Sequence, residues 1–260
     1  MRNLTLLVIL LVPSLGHSAE KRPNILWIVG ENFSNDLGCY GQPNVATPDL
    51  DKLAAEGIRY THAFASSPVC AQSRSCFMLG MYQTTTDTHH MRSHRSDDFK
   101  LPPGIRPLTH RLKDAGYFTA NITHSGTEEM GTGKLDLNFV NEGELYDSHQ
   151  WDELKSHQPF FAQINLPEAE YDIYDRKSAD KPRVHWVGEE WHPQVATEEN
   201  VTPPPYYPDH PISRQEWARY LNSVSGADIR VGKILARLNA DGMDEDLSLI
   251  HISEPTRRSY

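Results

Sequence analysis

Residues Ile25 to Val29 form an unbroken apolar run, ILWIV, bounded by Pro23 and Gly30. A strand that is apolar at every position must be covered on both faces, a condition met chiefly by parallel sheets lying between helices. Helical signals follow. In NVATPDLDKLAAEG, Thr47 is an expected N-cap, Pro48 takes the first helical position, Leu50, Leu53 and Ala54 share a face, and Gly57 is the stop. The alternation returns in PLTHRLKDAGYFTANIT, where Leu108 and Leu112 share a helical face, Gly116 ends it and Tyr117 to Ile122 reads as a strand. PFFAQINL, Pro159 to Leu166, is a third buried-strand candidate. The spacing predicts an α/β fold, with a mostly parallel central sheet and helices on both faces. Residues 213–243 return to helical spacing, with Trp217, Leu221 and Val224 on one core stripe and Ile229, Ile234, Leu235 and Leu238 on a second. Between Asp172 and His210, Pro, charge and aromatics without a period read as a surface excursion over one end of the sheet, or as plain linker.

Other features bound the setting. A chain of 260 residues suffices for one large domain or two small ones, and its net charge of -10 comes from 35 scattered acidic residues, which argues against a nucleic-acid partner. At the N-terminus one Arg, an apolar stretch from Leu4 to Leu15 broken by Pro13, and the exit GHSA predict a signal peptide over residues 1–19. A membrane span needs about 20 apolar residues; no run of that length is expected in the mature chain, so a periplasmic or secreted protein is expected. Three cysteines, Cys39, Cys70 and Cys76, are too few for a disulfide framework and leave at least one thiol unpaired.

Cys70 lies where a loop meets an apolar run in SSPVCAQSRSCFMLGMY. Taken alone, it reads as a small buried hydrophobe, a disulfide partner or a reactive group. At a loop-to-helix junction, free backbone N–H groups favour an anion beside it, and Arg74 one turn later faces the same side. Three segments in order, RPNILWIVGENFSNDLGCYG, TPDLDKLAAEGIRYTHAFAS and PVCAQSRSCFMLGMY, resemble the type I sulfatases of the alkaline-phosphatase-like superfamily, over nearly everything from Arg22 to Asp246. The third resembles the sulfatase signature, and the second a first helix with the strand after it. The opening and THHMRS look closest to heparan N-sulfatase-like members.

The resemblance implies that Cys70 is oxidised to formylglycine by a formylglycine-generating enzyme, its hydrate acting as nucleophile and metal neighbour. It implies calcium at Glu31-Asn32, where the family places two adjacent carboxylates, so one charge is replaced by a neutral oxygen. Lys134, in GTGKLDLNF, matches a Lys set against the sulfate oxygens, and His89, His90 and Arg92 match a pocket-lining stretch. Four positions depart from the family pattern: Asn32, Gln72 at the signature's third position, Asp136 where a His is common, and Glu170 nearest an expected proton-donating His. The implied activity is sulfuric ester hydrolysis on a sulfated carbohydrate. The alternatives are phosphonate or phosphate ester hydrolysis on the same scaffold, and a degenerate protein that binds sulfated glycans without turnover. The final string LSLIHISEPTRRSY resembles the translated remnant of a sequencing adapter. Residues 22–247 are therefore expected to be the N-terminal part of a catalytic domain, residues 248–260 a non-native tail that completes no α/β unit, and the fragment inactive for want of the remaining metal ligands.

Overall fold

The computed structural model describes residues 22–32, 34–93, 97–126, 128–169 and 195–253. The expected signal peptide, Glu170, residues 172–194 of the excursion and residues 254–260 lie outside the described residues. The opening run forms β1, Asn24–Gly30, and is followed by α1, Pro48–Glu56, and α2, Cys70–Leu79. Next come α3, Leu108–Asp114, β2, Phe118–Ser125, the short β3, Glu128–Glu129, and β4, Ser148–Gln150. The described chain ends with β5, Phe160–Leu166, the 30-residue α4, Pro211–Ala240, and β6, Leu247–Ser253. The strands lie in the order β3-β2-β5-β1-β6, with β4 also against β2. All pairings are parallel except the antiparallel β2–β3.

Alternation along the strands assigns the two faces of the sheet. Leu26 and Ile28 of β1, with Phe160, Ala162, Ile164 and Leu166 of β5, join the cluster of Val224, Val231, Ile234 and Leu238 from α4. Ile25, Trp27 and Phe161 point the other way, to Met78 and Leu79 of α2 and to Leu108 and Leu112 of α3. Each large apolar side chain fully buried in this way stabilises the fold by about 1.5–3 kcal/mol. The α4 stripe differs in detail from expectation. Both stripes belong to one continuous helix, with Leu221, Val224, Ala227, Val231, Ile234 and Leu238 buried, while Ile229 is only half-buried. Of the excursion, Ala196 and Val201 are buried with Ala218 and Leu221, so this part is packed rather than draped over the surface.

Three expectations need correction. Thr47 does not cap α1: its hydroxyl accepts from Gly38 N at 2.9 Å and donates to Asp51 Oδ1 at 3.1 Å. The cap comes from α4, where buried Asp228 accepts the first-turn N–H groups of Asp49 at 3.2 Å and Leu50 at 2.7 Å. A carboxylate there satisfies orphan donors and complements the helix dipole while joining two helices. Second, residues 57–65 form no strand, and Ile58, Tyr60 and Phe64 stand exposed. A β-prone segment becomes a strand only where a neighbour offers hydrogen bonds, and no described strand does. Third, residues 247–253, most of them assigned to the tail, pair in parallel with Asn24–Gly30 along seven residues and complete an α4–β6 unit. Strand pairing uses backbone groups that every sequence carries, so a β-prone run of the right length after a helix can occupy an open sheet edge.

Asp228→Ala should lower the unfolding free energy by about 1.5–3 kcal/mol, read from the urea midpoint, because two charge-assisted hydrogen bonds are lost. Desolvation pushes the His251 imidazole on β6 from 6.5 down to about 4. Between those values the unfolded chain binds the proton that the folded chain refuses. Stability from this group is therefore full above pH 6.5 and lost as pH falls toward 4, and thermal unfolding of the wild type should show a steeper acid loss than His251→Gln.

Candidate active site

The site lies at the carboxyl ends of β1, β5 and β2, where open α/β sheets place their ligands. Glu31 directly follows β1, and its N–H donates to Leu166 O at 3.0 Å, extending the sheet by one step. Its side chain is fully buried. An isolated buried carboxylate is costly, and two cations answer it. Arg74 Nη2 lies 3.2 Å from Oε1, and Lys134 Nζ lies 2.5 Å from Oε2. Arg74 is itself 1% exposed, so this pair is desolvated on both sides. Asp136 stands 3.9 Å from the Lys134 ammonium.

The same, α2-facing side of the strands supplies the neutral half of the site. Asn121 of β2 and Gln163 and Asn165 of β5 sit among apolar neighbours, yet all are buried. Arg74 Nη1 donates to Asn165 Oδ1 at 2.8 Å, which also accepts from Gln163 Nε2 at 2.9 Å. Asn165 Nδ2 donates to Asn121 Oδ1 at 2.9 Å, and Asn121 Nδ2 to Gly133 O at 2.8 Å. Tyr146 closes the chain by donating to Gln163 Oε1 at 2.9 Å, and burial raises its phenol well above the usual range. Each donor meets an acceptor, which fixes the Arg74 guanidinium. The sequence signal was present as polar residues at alternate positions of ANIT and AQINL, which a reading for apolar runs passes over.

Lys134 reaches Glu31 because the loop after β3 lies flat over the strand ends. A Cβ at Gly131 would stand 2.9 Å from Ile122 O and 2.9 Å from Ile164 Cγ2, so only glycine allows that approach. Thr132 N then donates to Asn165 O at 3.2 Å and Arg74 Nη1 to Lys134 O at 3.3 Å. Asp136 holds a left-handed φ of 50°, a conformation Asp tolerates better than most residues.

Cys70 is the first residue of α2, half-buried, with an extended Val69 before it. Arg74 lies one helical turn on, so both side chains share the face turned toward Glu31. None of the three cysteines is in a disulfide. Gln72 is buried and donates to His89 O at 3.1 Å, tying the 86–93 loop to the helix. Asn138 completes the attachment by donating to Thr88 O at 2.9 Å and accepting from Arg92 N at 2.8 Å. His89 and His90 are exposed, their rings 4.0 Å apart. The Arg92 guanidinium is committed to Asp87 and Asp97, both at 3.3 Å, and covers the Phe99 ring. The structure therefore brings Glu31, Asn32, Cys70, Arg74 and Lys134 to one end of the sheet. It gives Arg92 a role in holding its own loop.

Asn32 bears on the metal question. It adopts φ 58°, is 5% exposed, and its Oδ1 accepts no hydrogen bond from the described residues. A buried oxygen left unsatisfied beside a carboxylate is what a hard cation takes as ligand. The pair Glu31 and Asn32 thus fits calcium in kind. Two side chains are fewer than the six to eight oxygens calcium takes, roughly, in its full shell.

The sulfatase family model matches residues 23–254. The chain is 28% identical to an ulvan-active sulfatase of Formosa agariphila, over 87% of this chain and 42% of that protein. It is 25% identical to an N-acetylgalactosamine-6-sulfatase of Canis lupus familiaris, over 96% of this chain and 53% of that protein. The chain thus spans about half the length of these curated relatives. Among solved structures, a 2-O GAG sulfatase superposes with a TM-score of 0.61 at 13% identity, covering 92% of this chain and 62% of that one, a likeness of fold. With the signature helix, the carboxylate after β1 and the matched family model in agreement, the chain belongs to the sulfatase family, among the type I members of the alkaline-phosphatase-like superfamily.

Proposed function

We propose that this chain carries the nucleophile and the anion-binding half of a sulfuric ester hydrolase acting on sulfated carbohydrate. The supporting observation is the convergence of Arg74 and Lys134 on one buried carboxylate, one helical turn from Cys70. Two cations against one fully buried anion leave excess positive charge, partly offset by Asp136, at the place where a sulfate group would arrive. Arg74 is locked at both ends of its guanidinium, so it presents fixed donors. Lys134, 19% exposed, reaches the solvent side. Preorganised cations of this kind stabilise charge that develops on the transferring group without rearranging as it forms. The relatives that match are sulfatases, which favours sulfate over the phosphorus alternatives.

Formylglycine at Cys70, once hydrated, would supply two hydroxyls on one carbon: one would attack sulfur and displace the carbohydrate alcohol, which takes up a proton, and the other would give up its proton as the aldehyde returns and the C–O bond to the bound sulfate breaks. Glu31 and Asn32 would hold a calcium ion, which supplies positive charge that lowers the cost of deprotonating that hydrate. Cys70 lies inside α2 in the folded chain, whereas the modifying enzyme reads an extended peptide, so conversion precedes folding of this helix. The expected leader places both steps in an exported protein. Gln72, the departure at the signature's third position, serves here to hold the 86–93 loop.

Mass spectrometry of the peptide carrying Cys70, from protein made alongside a formylglycine-generating enzyme, should show the aldehyde. A persistent thiol would favour the non-catalytic glycan-binding reading instead. In a version extended to the length of the relatives, Lys134→Ala should lower kcat/KM on a sulfate ester by about 100-fold or more, with the phosphate ester of the same alcohol as the control substrate. Arg74→Ala removes one of the cations that answer the buried Glu31 carboxylate and should cost about 3–5 kcal/mol of unfolding free energy in urea. Asn32→Asp adds a charge to the metal pair and should tighten calcium binding measured by calorimetry.

A further inference from the structure

The loop between α2 and α3 carries a cluster of one aspartate and two histidines outside the group of Glu31, Cys70, Arg74 and Lys134. Thr86 and Thr88 are fully buried and their hydroxyls lie 2.9 Å apart. Pinning two alternate residues inward turns Asp87 and His89 outward together. Asp87 is held at φ 56°, and the carbonyls on either side of His89 are fixed, Thr88 O by Asn138 at 2.9 Å and His89 O by Gln72 at 3.1 Å. The backbone that presents the cluster is therefore rigid while its side chains remain open, with Asp87 54% and His89 40% exposed. One ligand atom from each of Asp87, His89 and His90 falls within 4.8 Å of the others.

We propose that Asp87, His89 and His90 form a second metal site, selective for a zinc-class divalent ion. Two imidazoles and a carboxylate are the donors such ions prefer, with ligand distances near 2.0–2.2 Å, whereas hard calcium takes oxygen. The two carboxylate oxygens of Asp87 are already divided. Oδ1 stands 3.5 Å from His89 Nδ1, and Oδ2 stands 3.3 Å from Arg92, whose guanidinium orients the carboxylate. The exposed side chains need rotate by only about an ångström to close on an ion, because tetrahedral ligands at those bond lengths lie roughly 3.4 Å apart. Water completes the shell on the open side. The site shares no ligand with Glu31 and Asn32, and it stands whether or not the sulfatase reading does.

Calorimetric titration of Zn2+ into the protein, with thiols blocked and excess Ca2+ present, tests the site. One equivalent should bind and be removed by EDTA. His89→Ala and Asp87→Asn should each weaken that equivalent by about tenfold or more, while His110→Ala, on α3, leaves it unchanged. Asn tolerates the left-handed backbone at position 87, and circular dichroism of each variant confirms that the fold is kept. Zinc binding that survives both His89→Ala and Asp87→Asn, that is lost in His110→Ala, that Ca2+ displaces at equal concentration, or that does not saturate would overturn the proposal.

Discussion

The buried carboxylate of Glu31 is the constraint on which this end of the molecule depends. Placed at the end of β1 with no exposed surface, it is answered by Arg74 from α2 and Lys134 from the loop after β3. Three segments far apart in sequence are thereby fixed against one another by charge. Such a buried set contributes little net stability over an apolar replacement, but removing one member is costly, so it specifies geometry more than it adds strength. That geometry sets two cations beside the helix that opens with Cys70.

The neutral network behind Arg74 serves the same end. Asn121, Gln163 and Asn165 occupy positions on the α2 face of strands whose other face buries Ala120, Ile122, Ala162 and Ile164. An apolar residue at Asn165 would pack, yet it would remove one acceptor of the buried guanidinium, and one at Asn121 or Gln163 would take a partner from Asn165 in a low-dielectric interior. The fold therefore places a stripe of amide side chains in its core and connects them to each other and to Tyr146 and Gly133. Gly131 belongs to the same design, since its missing side chain lets the Lys134 loop come close enough to touch.

Much of the scaffold was legible in order. The apolar runs of β1 and β5 and the stripes of α1, α3 and α4 are local signals, and each became the element expected. Cys70, Arg74, Lys134 and Glu31 were legible as residues through the family likeness. What escaped reading depended on partners distant in sequence. Thr47 has the chemistry of a cap but is diverted to Gly38 and Asp51, while Asp228, 179 residues from Asp49, does the capping.

The sequence by itself determined the class of fold, the order of elements and the segment that resembles the sulfatase signature, because periodicity, turn residues and a short motif are properties of neighbouring residues. Tertiary structure alone decided that Glu31 would be buried between two cations, that alternate amides would turn toward Arg74, and that residues 247–253 would enter the sheet instead of trailing from it. Each of these rests on groups brought together across the chain, where the cost of desolvating a charge and the demand of backbone groups for partners select among arrangements that local sequence leaves equally open.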